Sequence, residues 1–323
     1  MRKKELVIGI DIGGTNTKVG IVDRDAKIYL HFDFPTRSEK PAEDLFKRIF
    51  DKIEEEKSEL PENGVLMGVG VGAPNGNYFS GKIENPPNLK WTSVDVVGLI
   101  QKYFDLPGVL TNDANAAALG EMQFGSAQGM KNFIEITLGT GLGSGIVVNG
   151  QLVYGHDGFA GEMGHVIVIK GGRLCGCGRR GCLETYASAS GLRRTVFEIL
   201  AEENQPSSLR EIPYEDLTSK MVYDAAVQGD AVALEAFDFT GRILGEALAD
   251  AVAYFSPEAI ILFGGLAAAG DFIFVPTKNY MEKNLLPIFR NKVKILSSGL
   301  PESDAAILGS AALIWNELDQ GKV

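Results

Sequence analysis

"IDIGGTNTKVGIV", residues 10–22, and "ITLGTGLGSGIVV", residues 136–148, are two versions of one pattern at an offset of 126 residues (10 to 136). Each is an apolar run, a turn of glycine and threonine, and a second apolar run, which predicts strand, turn, strand. Two copies of one supersecondary unit predict a duplicated domain. Glycines in such turns let a ligand approach the backbone closely, and clustered N–H groups suit phosphate oxygens. A tight hairpin alone would also use these glycines. Two turns in register, each carrying hydroxyls, favour anion binding. Neither is a Walker A or Rossmann fingerprint, because a strand rather than a helix follows each. The candidate phosphate residues are Gly13, Gly14, Thr15 and Asn16 in the first turn and Gly139, Thr140 and Gly141 in the second. Asp11 lies inside an apolar strand, where a carboxylate is costly unless paired or near a metal. It is expected to hold Mg²⁺, through water, beside bound phosphates. Lys18 reads as a solvated charge.

Working outward, strand-like and helix-like stretches alternate along the chain, which predicts α/β architecture. LVIGIDI, KVGIVD and KIYLHFDF read as a three-strand meander. Helices are expected at 41–57, 93–104, 114–124, 230–255 and near 304–318. Strands are expected at 65–71, in GVLTND, NFIEITL, GSGIVVNG and EAIILFGG, with GAPNGNYFSGK as a loop. Asn112 and Asp113 then fall at a strand-to-helix junction, where α/β proteins commonly bind ligands. A helix cap is the alternative role for Asp113. Residues 206–219 read as the longest loop.

Bulk properties narrow the classes. The 323 residues suit two packed domains. A formal net charge of −11 argues against a nucleic-acid partner. No apolar run is long enough to span a bilayer, so no membrane association is expected. The start reads as a first strand rather than a signal peptide, and the expected location is cytoplasmic.

All three cysteines, Cys175, Cys177 and Cys182, fall within GHVIVIKGGRLCGCGRRGCLE, residues 164–184, with His165 upstream. Three thiolates and one imidazole make the tetrahedral set that Zn²⁺ prefers, and four protein ligands make a closed, structural site. Arg173, Arg179 and Arg180 are expected to favour the thiolates. A redox pair is less suitable, because there is no C-x-x-C. Glu162 and Glu184 flank the knot, and with the outer nitrogen of His165 they could grip a polyhydroxylated ligand.

Together DIGGTNTK, GAPNGN with NPPNLKW, NDANAAALGE, TLGTGLGSG, FAGEMGH, CGCGRRGCLE and ILFGG resemble the ROK (repressor, ORF, kinase) family over nearly the whole chain. The cysteine knot with its upstream E-M-G-H is the specific part. The glycine turns are shared with the wider actin, hexokinase and Hsp70 superfamily. The resemblance implies an actin-like ATPase (ribonuclease H-like) fold, two α/β domains flanking a cleft where nucleotide and sugar meet. It implies a small domain of residues 1–113 with 303–323 and a large domain of residues 114–302. It further implies ATP-dependent phosphorylation of a hexose at the C6 hydroxyl, with ATP, Mg²⁺ and a structural Zn²⁺ as cofactors. By position Asp113 resembles the general base, which needs no shifted pKa because the proton can leave late. Asn88, Asn112, Glu162, His165 and Glu184 match sugar-binding positions, and Gly264 and Gly265 match the segment passing the adenosine. Trp91 reads as packing. Many members have G-x-P-G-P where this chain has Gly72-Ala73-Pro74-Asn75-Gly76, so Asn75 is expected to alter how the sugar is read. Glucose is the first expectation, then N-acetylglucosamine or N-acetylmannosamine, then fructose. Polyphosphate is an alternative donor, since the turns read no base. A homodimer is expected from the resemblance alone. A sugar-responsive regulator is disfavoured because the first turn begins by residue 11, leaving no room for a DNA-binding arm. A chaperone- or actin-like ATPase is disfavoured by the knot and N-D-A-N.

Overall fold

The computed structural model describes residues 3–322. In chain order its elements begin with β1 (Lys4–Ile12), β2 (Asn16–Asp23), β3 (Ile28–Pro35), α1 (Ala42–Glu55) and β4 (Gly64–Gly72). There follow β5 (Gly76–Asn77), β6 (Lys82–Glu84), β7 (Ser93–Asp95), α2 (Val96–Phe104), β8 (Gly108–Thr111) and α3 (Asp113–Phe124). Next come β9 (Phe133–Leu138), β10 (Leu142–Val148), β11 (Gln151–Leu152), α4 (Ala189–Glu202), α5 (Ser219–Val227) and α6 (Ala231–Phe255). The last are β12 (Ala259–Phe263), α7 (Asp271–Asn284), β13 (Lys294–Ser297) and α8 (Ala305–Asp319). No described helix is long and apolar enough to cross a membrane.

The chain forms two compact units. The first runs to Gly129, includes Leu152–Ala160 and resumes at Gly299; the second comprises Met130–Gln151 and Gly161–Ser298. The first carries a sheet ordered β3-β2-β1-β4-β8, and the second a sheet ordered β11-β10-β9-β12-β13. In each, an antiparallel hairpin is extended by two parallel strands. The predicted duplication is therefore a duplication of sheets, and the fold is the mixed α/β, actin-like one.

Packing explains why strands of the first sheet carry glycine at their centres. Helix α8 lies directly on them: a Cβ on Gly70 would strike the Ser310 carbonyl, and one on Gly9 would come 2.5 Å from that of Ile307. Glycine within a strand commonly marks such a close backbone approach. Around it Leu6, Ile8, Ile10, Val69 and Val71 are fully buried.

Three features depart from the sequence expectation. The 93–104 segment begins as strand β7, and α2 starts only at Val96, because the Asp95 carboxylate accepts the Gly98 N–H and caps it. GAPNGNYFSGK is not all loop but contributes β5 to a small sheet with β6 and β7. The expected boundary at 113/114 also differs from the compact units. Helix α3 stays with the first unit because it packs on α8, with Gly120 and Gly309 close enough that a Cβ on Gly120 would lie 3.0 Å from the Gly309 Cα.

Candidate active site

In the first unit, β1 ends in the turn Gly13–Asn16, closed by a 3.0 Å bond from the Gly13 N–H to the Asn16 carbonyl. A Cβ on Gly13 would lie 2.7 Å from that carbonyl, and one on Gly14 would lie 2.9 Å from the Asn88 carbonyl. Both glycines are thus demanded by close approach, and the turn rests on the Asn88 loop. Thr15 and Asn16 are exposed. Thr36, unanticipated from sequence, buttresses the turn: its hydroxyl donates to Gly13 O at 2.7 Å, and its N–H donates to Thr15 O at 2.8 Å.

Asp11 pairs in register with Lys18 across the hairpin. Burial, then the nearby charge of Asp113, raises its carboxyl pKa from 3.8 to about 7, with Lys18 opposing. Lys18 is not simply solvated, since its ammonium donates to Ser303 O at 3.2 Å.

Helix α3 opens at Asp113. The cap is Asn112, whose Oδ1 accepts the Asn115 N–H at 2.7 Å. Its Nδ2 is therefore the group left to meet a ligand, as a donor. Asp113 reaches solvent while its Oδ1 accepts the Ala114 N–H at 2.9 Å. The protein around it depletes its hydration and raises its pKa against the pull of that N–H. A shift was not required for a base, but an upward one strengthens it. Asn88 is exposed beside Gly14. Trp91 packs as expected, partly buried against the core with its indole N–H on Lys40 O at 2.7 Å.

Asn75 adopts φ +52°, the left-handed conformation that favours glycine. Its Nδ2 donates to the carbonyls of Glu84 and Asn85, both at 3.0 Å. The side chain's donor is thus committed to its own loop, which accounts for the departure from glycine as a backbone substitution.

In the second unit, the turn Gly139–Gly141 is one residue shorter than its counterpart, so Leu142 already pairs with Leu138. Helix α4 supports it. The Ala189 N–H donates to Gly139 O at 2.9 Å, and the Ser190 hydroxyl donates to Thr140 O at 2.8 Å. Gly264, at φ +97°, lies against Leu138, while a Cβ on Gly265 would meet open space. The Gly264–Gly265 segment and the second turn are therefore neighbours.

His165, Cys175, Cys177 and Cys182 bring their ligand atoms within 4.8 Å of one another. Cys177 Sγ lies 3.7 Å from Cys182 Sγ, and Cys175 Sγ lies 3.6 Å from His165 Nδ1. A tetrahedral zinc site with Zn–S near 2.3 Å has edges of about 3.8 Å, so the set fits the ion. Cys175 and Cys182 are buried and Cys177 is exposed. Burial pushes the Cys175 thiol to about 12, while the Arg179 backbone N–H lowers that of Cys177. The expectation for the arginines is corrected. Arg173 turns away to Glu198, Thr185 O and Thr195, and Arg180 donates to Gly172 O at 3.2 Å, leaving Arg179 alone beside the thiols.

Because Nδ1 faces the knot, Nε2 of His165 is the nitrogen left for a ligand. Glu184 spans two features: Oε1 lies 3.5 Å from Cys175 Sγ, and Oε2 accepts the Leu142 N–H at 3.1 Å. Glu162 is exposed and precedes the 3₁₀ turn Met163–His165. A Cβ on Gly141 would overlap the Glu184 carboxylate. That carboxylate is the far end of a flexible side chain, so Gly141→Ala should leave the melting temperature within about 2 °C while turning Glu184 aside. The lost charged hydrogen bond predicts a rise of about tenfold or more in the KM of the ligand held there, with zinc content unchanged.

Comparison with known proteins shows the family of the chain. The model of the ROK family matches residues 7–317. A glucokinase from Halalkalibacterium halodurans is 36% identical, with 97% of each chain covered. The crystal structure of a ROK family glucokinase from Streptomyces griseus in complex with glucose and AMPPNP superposes with a TM-score of 0.78 at 34% identity, covering 95% of this chain and 98% of that one. A xylose repressor from Bacillus spizizenii is 29% identical over 98% of this chain and 79% of its own.

Proposed function

The chain belongs to the ROK family and is a sugar kinase, and from that premise we propose that it transfers the γ-phosphoryl group of ATP to the C6 hydroxyl of glucose. The observation that carries the choice of sugar is the near full-length similarity to glucokinases, one of them solved with glucose and AMPPNP. A regulator is the second reading, favoured only by relatives at lower identity.

In this reading Asp113 accepts the proton of the sugar hydroxyl as its oxygen bonds to the γ-phosphorus and the bond to the β-phosphate oxygen breaks. Phosphoryl transfer passes through a loose transition state, so positioning and charge neutralisation carry most of the rate. Asn112 donates through Nδ2, Asn88 offers both donor and acceptor, and Glu162, Glu184 and His165 Nε2 complete the set for ring hydroxyls. Such a set rejects analogues that leave its polar groups unpaired. The two glycine turns offer N–H groups to the phosphates, and Gly264 with Gly265 leaves room for adenosine. The Cys₃His knot would hold zinc as a structural ion fixing His165 and Glu184. Mg²⁺, when bound, neutralises phosphate charge, and Asp11 is the residue that would hold it through water.

Asp11 gives a test with a defined sign. Its folded-state pKa, about 7, lies above the ordinary 3.8. Folding therefore favours the proton in that window, and stability falls as pH rises through it. Asp11→Asn removes this penalty and should raise the melting temperature at pH 8 in Mg²⁺-free buffer by a few degrees, about the effect of a few kcal/mol. The same variant should lose about tenfold or more in kcat with Mg-ATP. Calorimetry and steady-state kinetics on one preparation read both; a destabilised variant with full activity would contradict the role.

A further inference from the structure

Helix α8 meets the first sheet through apolar side chains, with one exception. Ile307, Ala311 and Ile314 pack on the glycines of β1 and β4, as does the backbone of Ser310. Ser310 is fully buried, yet its Oγ has no hydrogen-bond partner among the described residues, not even a carbonyl of the preceding helical turn. An alanine would serve the packing equally well, and a buried hydroxyl without a partner is unfavourable.

Asp11 supplies the complementary group. In the parallel pairing of β1 with β4 it stands opposite Gly72, so the two side-chain positions share one face of the sheet. Asp11 is half-buried, and among the described residues no hydrogen bond reaches its carboxylate. Lys18, its partner across the hairpin, acts on it through charge and places its ammonium on Ser303 O.

The two groups meet over Gly72. A Cβ there would lie 3.2 Å from Ser310 Oγ, 3.5 Å from Asp11 Oδ1 and 3.3 Å from Ala116 Cβ of α3. One point is thus at contact distance from a donor without an acceptor and an acceptor without a donor, with Ala116 closing a third side. The space takes one small atom. Asp11, Gly72, Ala116 and Ser310 all belong to the first unit.

We propose that this space is a binding site for one water molecule, which accepts from the Ser310 hydroxyl and donates to Asp11 Oδ1, with Ser310 and Gly72 as positioning residues for Asp11. The inference rests on the reading of Asp11 as the residue that would hold Mg²⁺ through water. Buried waters serve otherwise unpaired polar groups of this kind, and such a bridge is nearly as good as a direct hydrogen bond. It holds the carboxylate in one orientation and leaves Oδ2 for the hydrated cation. Ordering the carboxylate before the cation arrives lowers the entropy cost of binding.

Ser310→Ala removes the donor, and Gly72→Ala puts a methyl group where the water would sit. A crystal structure of the wild-type protein should show a water within hydrogen-bond distance of both Ser310 Oγ and Asp11 Oδ1, and both variants should lose it. Each variant should raise the Mg²⁺ concentration that half-saturates activity, and the Kd of Mg²⁺ for the ADP-bound protein read by titration calorimetry, about 3- to 10-fold. The kcat at saturating Mg²⁺ and the glucose KM should stay near wild type. The double variant should be no weaker than the weaker single one, and neither change should add to Asp11→Asn, since one bridge is lost in every case. If Gly72→Ala is unstable, Ser310→Ala carries the test alone. Wild-type crystals that lack the bridging water would overturn the proposal. So would an unchanged Mg²⁺ requirement in Ser310→Ala, or an effect of Ser310→Ala that persists undiminished beside Asp11→Asn; either leaves the role of Asp11 standing if Asp11→Asn alone raises the requirement. Wild-type Mg²⁺ dependence in Asp11→Asn would remove both readings.

Discussion

Asp113→Asn is expected to lower kcat by about 10²- to 10⁴-fold, the range for removal of a general base. The fold should be indifferent to the change. Asn112, not Asp113, caps α3, and an asparagine can keep the acceptor that takes the Ala114 N–H. The sugar KM should move little, because Asn88, Asn112 and the second-unit carboxylates remain. A loss of kcat at unchanged melting temperature and nearly unchanged KM therefore identifies chemistry rather than folding or binding. The variant should also change its neighbour. Asp113 helps raise the Asp11 pKa, so removing that charge should let Asp11 ionise at lower pH. Retained kcat would place the base elsewhere in the chain.

The second large effect is expected from the cysteine knot. Cys182 is fully buried, and its sulfur lies 3.7 Å from that of Cys177. Structural zinc in small sites supplies about 10–16 kcal/mol of apparent binding energy, part of which appears as folding stability. Cys182→Ser, or prolonged chelation, is thus expected to remove one zinc per chain and lower the melting temperature by on the order of 10 °C. The knot also holds the 3₁₀ turn bearing His165 and lies against Glu184, so the sugar KM should rise far more than the KM for ATP. Readdition of zinc to chelated protein should restore both. Metal analysis, calorimetry and the two KM values check the prediction; loss of zinc with an unchanged sugar KM would reduce the knot to a staple with no bearing on the site.

Much of this site was legible in the sequence because its signals are local. The knot's four candidate ligands span residues 165–182, and a Cys₃His spacing points to a zinc site. The two glycine turns announce the duplicated sheets through an offset that the strand ends then follow: β1 closes at Ile12 and β9 at Leu138. Asn112–Asp113 could be placed at a strand-to-helix junction because alanine-rich α3 follows an apolar strand. What sequence did not reveal depends on contacts between distant residues. Thr36 supports the first turn from 23 positions away, and Ser190 supports the second from 50. The Tyr78–Tyr154 stack joins segments that look like ordinary loops. Helix α3 lies in the first compact unit rather than the second, a placement set by its partner α8 near the end of the chain. The arginines of the knot misled for a related reason: proximity in sequence to the thiols suggested charge pairing, whereas Arg173 finds Glu198 on α4 at the end of a long side chain.

The central claim is tested most directly by incubating purified, zinc-loaded protein with Mg-ATP and, separately, glucose, N-acetylglucosamine, N-acetylmannosamine, mannose and fructose, and identifying any product by phosphorus and proton NMR. The account predicts phosphate on the C6 oxygen of glucose, formed in step with ADP and faster than on any other sugar. Formation of ADP without a phosphorylated sugar, or no sugar-dependent ADP in the whole series, would contradict it.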